Sequence, residues 1–387
     1  MKTNSGKMVS IVVPALNEQL TIGEFVEWCK VGLQKAGVKG EILIIDSSAD
    51  KTAEIAERHG ARAIKVPAGG LGQAYIDAMP HIKGDYVIMG DCDLTYDFRD
   101  IKSFIDKLDQ GYEFVMGTRM RGTIETGAMP VLHRYFGNPI TTFILNYIYK
   151  SHYSDIHCGI RAIRLDSLKR MNLESSSWEY ASEMVLKAAK LKLRTSEVPT
   201  NFYKDRKGRV SHHRRIGWFS PWIAGWINLK AMFIYSPDFF LMRPGSFLSA
   251  AGLFLIFAAN NKYIKIGPVQ FSVHGMLLGV TLVVLGYAAI QMGVLSKIVY
   301  DFDPKDSLKY KKLFTYDNGV IAGCILMVAG LLSQISFVHE FIQNNFALYE
   351  MSKQSILGLL LILIGFQTFT FTLVFNMIIN RGKVIRG

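Results

Sequence analysis

Apolar and polar positions divide the chain into two halves of different texture. In the first half, short apolar runs at residues 10–14, 41–46, 61–66, 86–90 and 114–117 predict five strands, the fourth closing on Asp91. Amphipathic stretches between them predict helices near 21–36 and 52–59, from Gly72 to Met79, and over 98–108 with Asp97 as cap. The strands are apolar throughout rather than alternating, as strands covered on both faces are. An alternating βα series predicts an α/β fold with a mostly parallel, doubly wound sheet. Such sheets bind ligands at the carboxyl ends of their strands. Polar or glycine-rich clusters at 14–18, 46–48, 69–72 and 91–93 all fall there, which points to a nucleotide site.

The second half changes to long apolar stretches near 239–259, 275–298, 319–341 and 356–379. Each approaches or exceeds the ~20 residues that cross a bilayer. Arg243, Pro244 and Gly245 interrupt the first, so its span is expected to begin near Ser246. Buried core helices of a soluble protein are the alternative, and four such stretches argue against it. Between the halves, Lys204, Arg206, Lys207, Arg209, Arg214 and Arg215 precede Trp218, Phe219, Trp222 and Trp226. Cations beside closely spaced tryptophans predict amphipathic helices in the headgroup layer. The expected organisation is a catalytic domain over 1–203, an interfacial segment over 204–238 and a transmembrane domain over 239–387.

An even number of spans puts both termini on one side. The tail cations Arg381, Lys383 and Arg386, the basic run before the first span, and Lys309, Lys311 and Lys312 mark that side as cytoplasmic. The first ten residues are polar and basic, which predicts no signal peptide. A net charge of +12 calls for an anionic partner: nucleic acid, a membrane surface or a phosphorylated substrate. The chain shows no RNA-binding signature and no helix-turn-helix with a basic recognition helix. Its apolar half favours membrane over nucleic acid. Cys29, Cys92, Cys158 and Cys324 are scattered without a C-x-x-C pair, which speaks against a disulfide framework and a structural zinc. His157-Cys158 and His212-His213 also lack metal-site spacing.

Candidate chemistry centres on Asp91 and Asp93. Two carboxylates one residue apart at the end of a buried strand raise a pKa by repulsion unless a cation sits between them. A hard ion such as Mg²⁺ or Mn²⁺, which also takes diphosphate oxygens, fits such a pair. A solvated turn or a helix N-cap is the other reading of D-x-D. Arg119, Arg134 and Arg209, with Asn138 one helical turn after Arg134, are candidates for holding phosphate. Each arginine also reads as a surface or salt-bridging residue. Glu179 and Glu183, one turn apart, read as carboxylates at a helix start.

The segments Val-Val-Pro-Ala-Leu-Asn-Glu (12–18), Ile-Asp-Ser-Ser-Ala-Asp-Lys-Thr (45–52) and Gly-Asp-Cys-Asp (90–93) resemble the nucleotide-sugar signatures of family-2 glycosyltransferases with the GT-A fold. Met-Gly-Thr-Arg (116–119), His-Arg-Tyr-Phe-Gly-Asn (133–138) and Asp-Ile-His-Cys-Gly-Ile-Arg (155–161) extend the resemblance to the polyprenyl-phosphate sugar synthases, the dolichyl-phosphate mannose synthase group. It covers roughly residues 8–240.

The resemblance implies that Pro14, Asn17, Glu18, Ile44 and Asp46 line the nucleotide pocket, joined by Gly72, Asp91 and Cys92. Asp91 and Asp93 would hold Mg²⁺ or Mn²⁺. Arg119, Arg134 and Asn138 would grip an acceptor phosphate, and Asp93 and Arg119 would be the catalytic residues; Arg209 joins the acceptor set as a candidate on its residue type, not through the resemblance. In relatives that use hydroxyl acceptors, an acid in the region of Glu179 and Glu183 is the base. Asp46 also reads as a turn-initiating residue. The chain departs from the family pattern at Leu16, where many relatives have an aromatic, at Ile45, which replaces a first aspartate, and at Thr95, which replaces a glutamine able to join the metal shell.

The implied reaction is inverting, metal-dependent transfer of one hexose, glucose or mannose, from a UDP- or GDP-sugar to undecaprenyl or dolichyl phosphate. A processive polysaccharide synthase is the alternative, in which the spans form a conduit rather than anchoring and oligomerising the enzyme. The Q-x-x-R-W motif of those synthases is absent, which favours single transfer. A non-catalytic membrane scaffold or transporter with a degenerate nucleotide-sugar domain is a further alternative.

Overall fold

The apolar runs of the first half become strands of one sheet because β-branched residues fill both of its faces. The computed structural model describes residues 6–206, 208–209, 226, 230, 233, 235–261, 265–266, 269–270, 272–299, 304–346 and 352–385. The chain divides into two units, Met1–Tyr235 and Ser236–Gly387. The interfacial segment predicted over 204–238 lies largely outside the described residues.

In the first unit, β1 (Val9–Ala15), α1 (Ile22–Ala36), β2 (Gly40–Asp46), α2 (Thr52–Arg58) and β3 (Arg62–Lys65) alternate as predicted. They are followed by α3 (Leu71–Ala78), β4 (Tyr86–Met89), α4 (Lys102–Asp109) and β5 (Phe114–Thr118). The remaining elements are α5 (Asn138–Tyr149), β6 (Arg161–Arg164), α6 (Leu165–Met171), α7 (Glu179–Lys190) and β7 (Thr195–Pro199).

The sheet runs β3-β2-β1-β4-β6-β5-β7, parallel except for β6, which lies antiparallel between β4 and β5. β1 pairs with β2 from Val9↔Gly40 to Ala15↔Asp46, and with β4 from Val9↔Tyr86 to Val12↔Met89. The chain therefore leaves β1 in one direction and returns to its other side through β4. This is the switch point at which doubly wound sheets open a crevice.

Two details differ from the sequence reading. β4 ends at Met89, so residues 91–93 occupy the loop beyond it. Asp97 does accept a bond from the Arg99 backbone N–H, but the first turn is 3-10 and α4 begins at Lys102. The core beside β1 is made by Phe25 of α1 and Phe98, whose rings meet edge-on at 4.8 Å. Burial of each such ring contributes about 1.5–3 kcal/mol. α1 approaches closely at Gly32, where an added Cβ would lie 2.1 Å from the Phe98 carbonyl oxygen.

Among the described residues of the second unit, four helices are long and apolar enough to cross a membrane: Asp238–Asn260, Val273–Val299, Tyr316–Gln343 and Lys353–Asn380. The first begins earlier than expected. A π-turn over Asp238–Met242 runs directly into α8 (Arg243–Asn260), and Pro244 sits in the first turn of α8, where its missing N–H costs little.

Between α8 and α9 (Val273–Val299), a Cβ on Gly252 would lie 2.5 Å from the Gly279 carbonyl, and one on Gly286 equally close to that of Gly245. The third span comprises two helices, Tyr316–Ser333 and Ile335–Gln343. Its Gly323 and Gly330 approach the Gly365 and Gly358 carbonyls of the last helix in the same way. Small residues that let backbones touch are how apolar helices associate where lipid offers no hydrophobic gain. Tyr287 and Thr368, whose hydroxyls lie 2.8 Å apart, add a polar contact between the second and fourth spans.

Candidate active site

A cavity of about 510 Å³ opens among the loops that follow β1, β2 and β4. Its wall includes Pro14 and Ala15 at the end of β1, Leu16 and Glu18 just after it, Ser47 after β2, and Ala68, Gly70, Leu71 and Ala74 in and before α3. Asp91, Cys92 and Asp93, together with Trp178 and Arg209, complete it. The volume lies within the range of small-molecule sites.

Of the residues named from the sequence, Asn17, Asp46, Ile44 and Gly72 do not line the cavity, while Glu18 both lines it and braces its rim. Asn17 takes a left-handed backbone (φ 58°), donates its N–H to Ser48 Oγ at 2.7 Å and accepts from the Ala49 N–H at 3.1 Å. The Glu18 N–H donates to Thr52 Oγ1 at 2.9 Å. These bonds lash the loop after β1 to the loop after β2. Asp46 is fully buried, accepts from the Ser48 N–H and pairs with Lys65 at 2.5 Å. Ile44 belongs to the hydrophobic core, away from the cavity wall. Gly72 is a packing position, since a Cβ there would lie 2.0 Å from the Ser175 carbonyl oxygen.

The two acids at the cavity floor are held under electrostatic tension. Burial, and then repulsion from Asp93, pushes the Asp91 pKa well above the usual carboxylate range, while Arg209 and Arg161 pull against it. Burial also raises Asp93, opposed by Arg209 and by hydrogen bonds from Thr95. Thr95 donates its hydroxyl at 2.6 Å and its N–H at 3.0 Å to Asp93 Oδ1. That turn places Leu94 at φ 65°, a conformation costing roughly 1–2 kcal/mol for a side-chain-bearing residue. Thr95, where the family pattern has glutamine, thus orients Asp93.

Arg209 reaches this floor from a distant part of the chain. Its Nε and Nη2 donate to the two Glu18 oxygens at 2.8 and 2.6 Å. Its Nη1 bonds Asp205 at 2.7 Å and lies 3.4 Å from Asp93. Behind Asp91, Arg161 is buried on backbone carbonyls, with bonds of 3.0 Å to Cys158 and 2.6 Å to Ala181.

The other predicted cations stand outside the cavity wall. Arg119 is buried and makes a two-pronged pair with Asp155, at 2.7 and 2.9 Å. Burial alone would raise the Asp155 pKa, yet this pair holds it below the ordinary value. Arg134 lies in the π-turn before α5 with its guanidinium over the Tyr135 ring, and Asn138 is buried at the start of α5.

The sequence matches the family "Glycosyl transferase family 2" over residues 10–171. It also matches "Glycosyltransferase family 2 C-terminal transmembrane region" over residues 300–379. It is 30% identical over 364 residues to the low-salt glycan biosynthesis hexosyltransferase Agl6 of Haloferax volcanii, covering 93% of this chain and 86% of that one. The chain belongs to glycosyltransferase family 2.

Two further relatives are similar over most of their own length. A dolichyl-phosphate hexose transferase of Haloferax volcanii is 28% identical, covering 52% of this chain and 85% of the relative. The undecaprenyl-phosphate 4-deoxy-4-formamido-L-arabinose transferase of Edwardsiella ictaluri is 25% identical, covering 76% of this chain and 89% of the relative. With its GT-A sheet, its matched transmembrane region and its four spans, the chain is an integral-membrane glycosyltransferase.

Within this family-2 enzyme, Glu183 has a structural setting. It is fully buried, accepts from the Glu174 N–H at 3.0 Å and the Ser175 N–H at 2.8 Å, and pairs with Lys187 at 2.5 Å. Lys187 Nζ in turn donates to the Asn172 carbonyl at 2.6 Å. The loop so held passes its Ser176 carbonyl to the Gln73 N–H at 2.9 Å, which fixes the start of α3 on the cavity wall. Glu179 lies in the first turn of α7, as a helix-start carboxylate would.

Sequence reasoning passed over Trp178 as a wall residue and Arg161 as the buried cation behind Asp91. The first was hidden inside a helix-start pattern, and the second inside the motif at 155–161.

Two outcomes follow from these contacts. Lys187→Ala should destabilise the protein by about 3–5 kcal/mol, by stranding the buried Glu183 carboxylate. The double variant Glu183→Gln/Lys187→Met should recover much of that loss in thermal unfolding. His157 is pushed down from 6.5 to about 4, by burial first and then by Arg119. Between those values the unfolded chain takes up a proton that the folded chain refuses, so stability should fall as pH drops through that window. His157→Gln should flatten this slope in unfolding curves recorded at pH 7 and pH 5.

Proposed function

We propose that this chain transfers one hexose, glucose or mannose, from a UDP- or GDP-sugar to the phosphate of undecaprenyl or dolichyl phosphate. The observation that carries this reading is the pair Asp91 and Asp93 on the floor of the cavity, within the field of Arg209 and Glu18. The hexose follows the name of the Haloferax hexosyltransferase, and the lipid phosphate follows the names of the other two relatives.

The donor set suits Mg²⁺ or Mn²⁺ shared with a diphosphate. Asp91 and Asp93 supply hard oxygens, and the described residues contain no group of three or more His, Cys, Asp or Glu side chains poised to hold an ion by themselves. When bound, the ion would offset charge developing on the leaving diphosphate. Pro14, Glu18, Cys92 and Gly70 would shape the nucleotide end, with Asn17 and Asp46 supporting its loops.

The acceptor phosphate is already anionic, so attack on the anomeric carbon needs alignment more than a protein base. Its oxygen bonds to that carbon as the bond to the diphosphate breaks on the opposite face, with inversion. Arg209 lines the cavity wall and would meet phosphate there. Arg119 would serve as an acceptor ligand by exchanging Asp155 for phosphate, with Arg134 and Asn138 beside it. The catalytic unit and both termini would face the cytoplasm, in keeping with the basic loops.

A radiolabelled transfer assay tests this. Purified protein in detergent is given Mn²⁺ or Mg²⁺, a short polyprenyl phosphate, and UDP- or GDP-sugars in parallel. One acid-labile labelled lipid should form, and Asp93→Ala should reduce its rate by about 100-fold or more. Polymer at the origin would replace this reading with a processive synthase, and full metal-dependent turnover by Asp93→Ala would remove the site assignment.

A further inference from the structure

Trp178 leaves much of a large apolar ring open to the cavity. It stands at the start of α7, lines the wall with Leu71 and Ala74, and is 42% exposed. Tryptophan is on average a highly buried residue, so an indole held half-open in a concave site calls for something that covers it. Aromatic side chains with a few polar groups beside them are the usual lining of small-molecule sites.

The loop that carries this indole is fixed from beneath. The buried Glu183 carboxylate holds the Glu174 and Ser175 N–H groups, and the Ala181 N–H donates to the Trp178 carbonyl at 3.3 Å. Glycines let α3 come up against the same loop. A Cβ on Gly70 would lie 2.5 Å from the Ser176 carbonyl oxygen, and Gly70 has the left-handed φ of 105°. A Cβ on Gly72 would lie 2.9 Å from Tyr180 Cβ. The ring is therefore set on a rigid base, which an aromatic platform requires.

Neighbouring contacts place that platform beside the acid pair. Tyr180 stacks on Tyr75 with ring centroids 4.9 Å apart, and the Tyr75 hydroxyl donates to the Gly90 carbonyl at 3.0 Å, one residue before Asp91. Arg161, the buried cation behind Asp91, donates to the Ala181 carbonyl at 2.6 Å. Both links tie the start of α7 to the loop after β4. Pro14, Leu16 and Ser47 form a different part of the wall, at the ends of β1 and β2. With a diphosphate at Asp91 and Asp93, the nucleoside would extend toward β1 and β2, and the group on its other end toward Trp178.

A neutral hexose suits that end. Its ring carries hydroxyls around the rim and C–H groups on its faces. The negative face of an indole attracts polarised C–H groups, and the contact removes apolar surface of both partners from water. Leu71 and Ala74 continue the apolar lining beside it.

We propose that Trp178 is the platform on which the donor hexose lies, stacking on a C–H face of the sugar. This rests on the proposed reaction and deepens it, by naming the residue that tells a nucleotide sugar from its bare nucleotide.

The test is calorimetric titration of full-length protein in detergent with Mn²⁺, using UDP, UDP-glucose, GDP and GDP-mannose as separate probes. For the nucleotide series that the unaltered protein binds, Trp178→Ala should weaken the nucleotide sugar about tenfold, the size of one aromatic contact, while the bare nucleotide stays within about twofold. Trp178→Phe, which keeps an aromatic face, should retain most of the affinity for the nucleotide sugar. Equal weakening of sugar and bare nucleotide by Trp178→Ala would overturn the inference, by showing a ring that stacks on the base or merely supports the wall. No change in either, or a loss with Trp178→Phe as large as with Trp178→Ala, would also overturn it. Each of these outcomes leaves the proposed reaction standing, because the unaltered protein still binds its donor. Binding of none of the four probes by the unaltered protein would instead remove the proposed reaction and this inference with it.

Discussion

The repulsion between Asp91 and Asp93 is the interaction on which the site depends. Left without cations, two carboxylates at the end of a buried strand would take up a proton or disorder the loop. Here Arg161 stands behind Asp91 and Arg209 approaches Asp93, and together they offset only part of that cost, so the Asp91 pKa stays raised. Thr95 fixes the orientation of Asp93, and the left-handed Leu94 is held by the same turn. Arg209 is itself bound to Glu18 and Asp205, so its charge is shared among three acids. Glu18, Asp91, Asp93 and Asp205 thus share this corner of the cavity with Arg209 and Arg161, the arrangement on which the proposed binding of a cation and an anionic ligand rests.

The sheet brings these groups together. β1 is the hinge of the topology: β2 and β3 build outward on one side, and β4 returns on the other. The loops after β1 and β4 therefore converge, bringing Glu18 near Asp93 although they are far apart in sequence. α3 closes the wall, and its approach is set by the loop over Glu183. A carboxylate that sequence reasoning left open as a base thus serves the geometry of the donor side. The family and the transmembrane region place this sheet in a membrane enzyme.

Much of this was legible in the sequence, for identifiable reasons. β1, β2 and β4 are short apolar runs without alternation, the mark of strands that helices cover on both faces. β6 escaped because it is four residues long with arginine at each end, and its antiparallel pairing comes from neighbours far away in sequence. Asp91 and Asp93 were legible as a local motif, whereas Arg209, 191 residues from Glu18, had no local signal of its partners. Arg119 shows the opposite limit: its residue type suggested phosphate, but only the fold reveals the Asp155 carboxylate against it. Glu183 and Lys187 are spaced for a helical ion pair, and only packing shows that the pair is buried.

The central claim is that Asp91 and Asp93 hold a divalent ion jointly with a nucleoside diphosphate. Titrating Mn²⁺ into the purified protein, with free ion read by electron paramagnetic resonance, tests it without requiring turnover. With UDP or GDP present, the account predicts that one ion binds per chain, more tightly than without nucleotide, and that Asp91→Asn/Asp93→Asn abolishes this binding. Equal nucleotide-dependent binding by the double variant would contradict it.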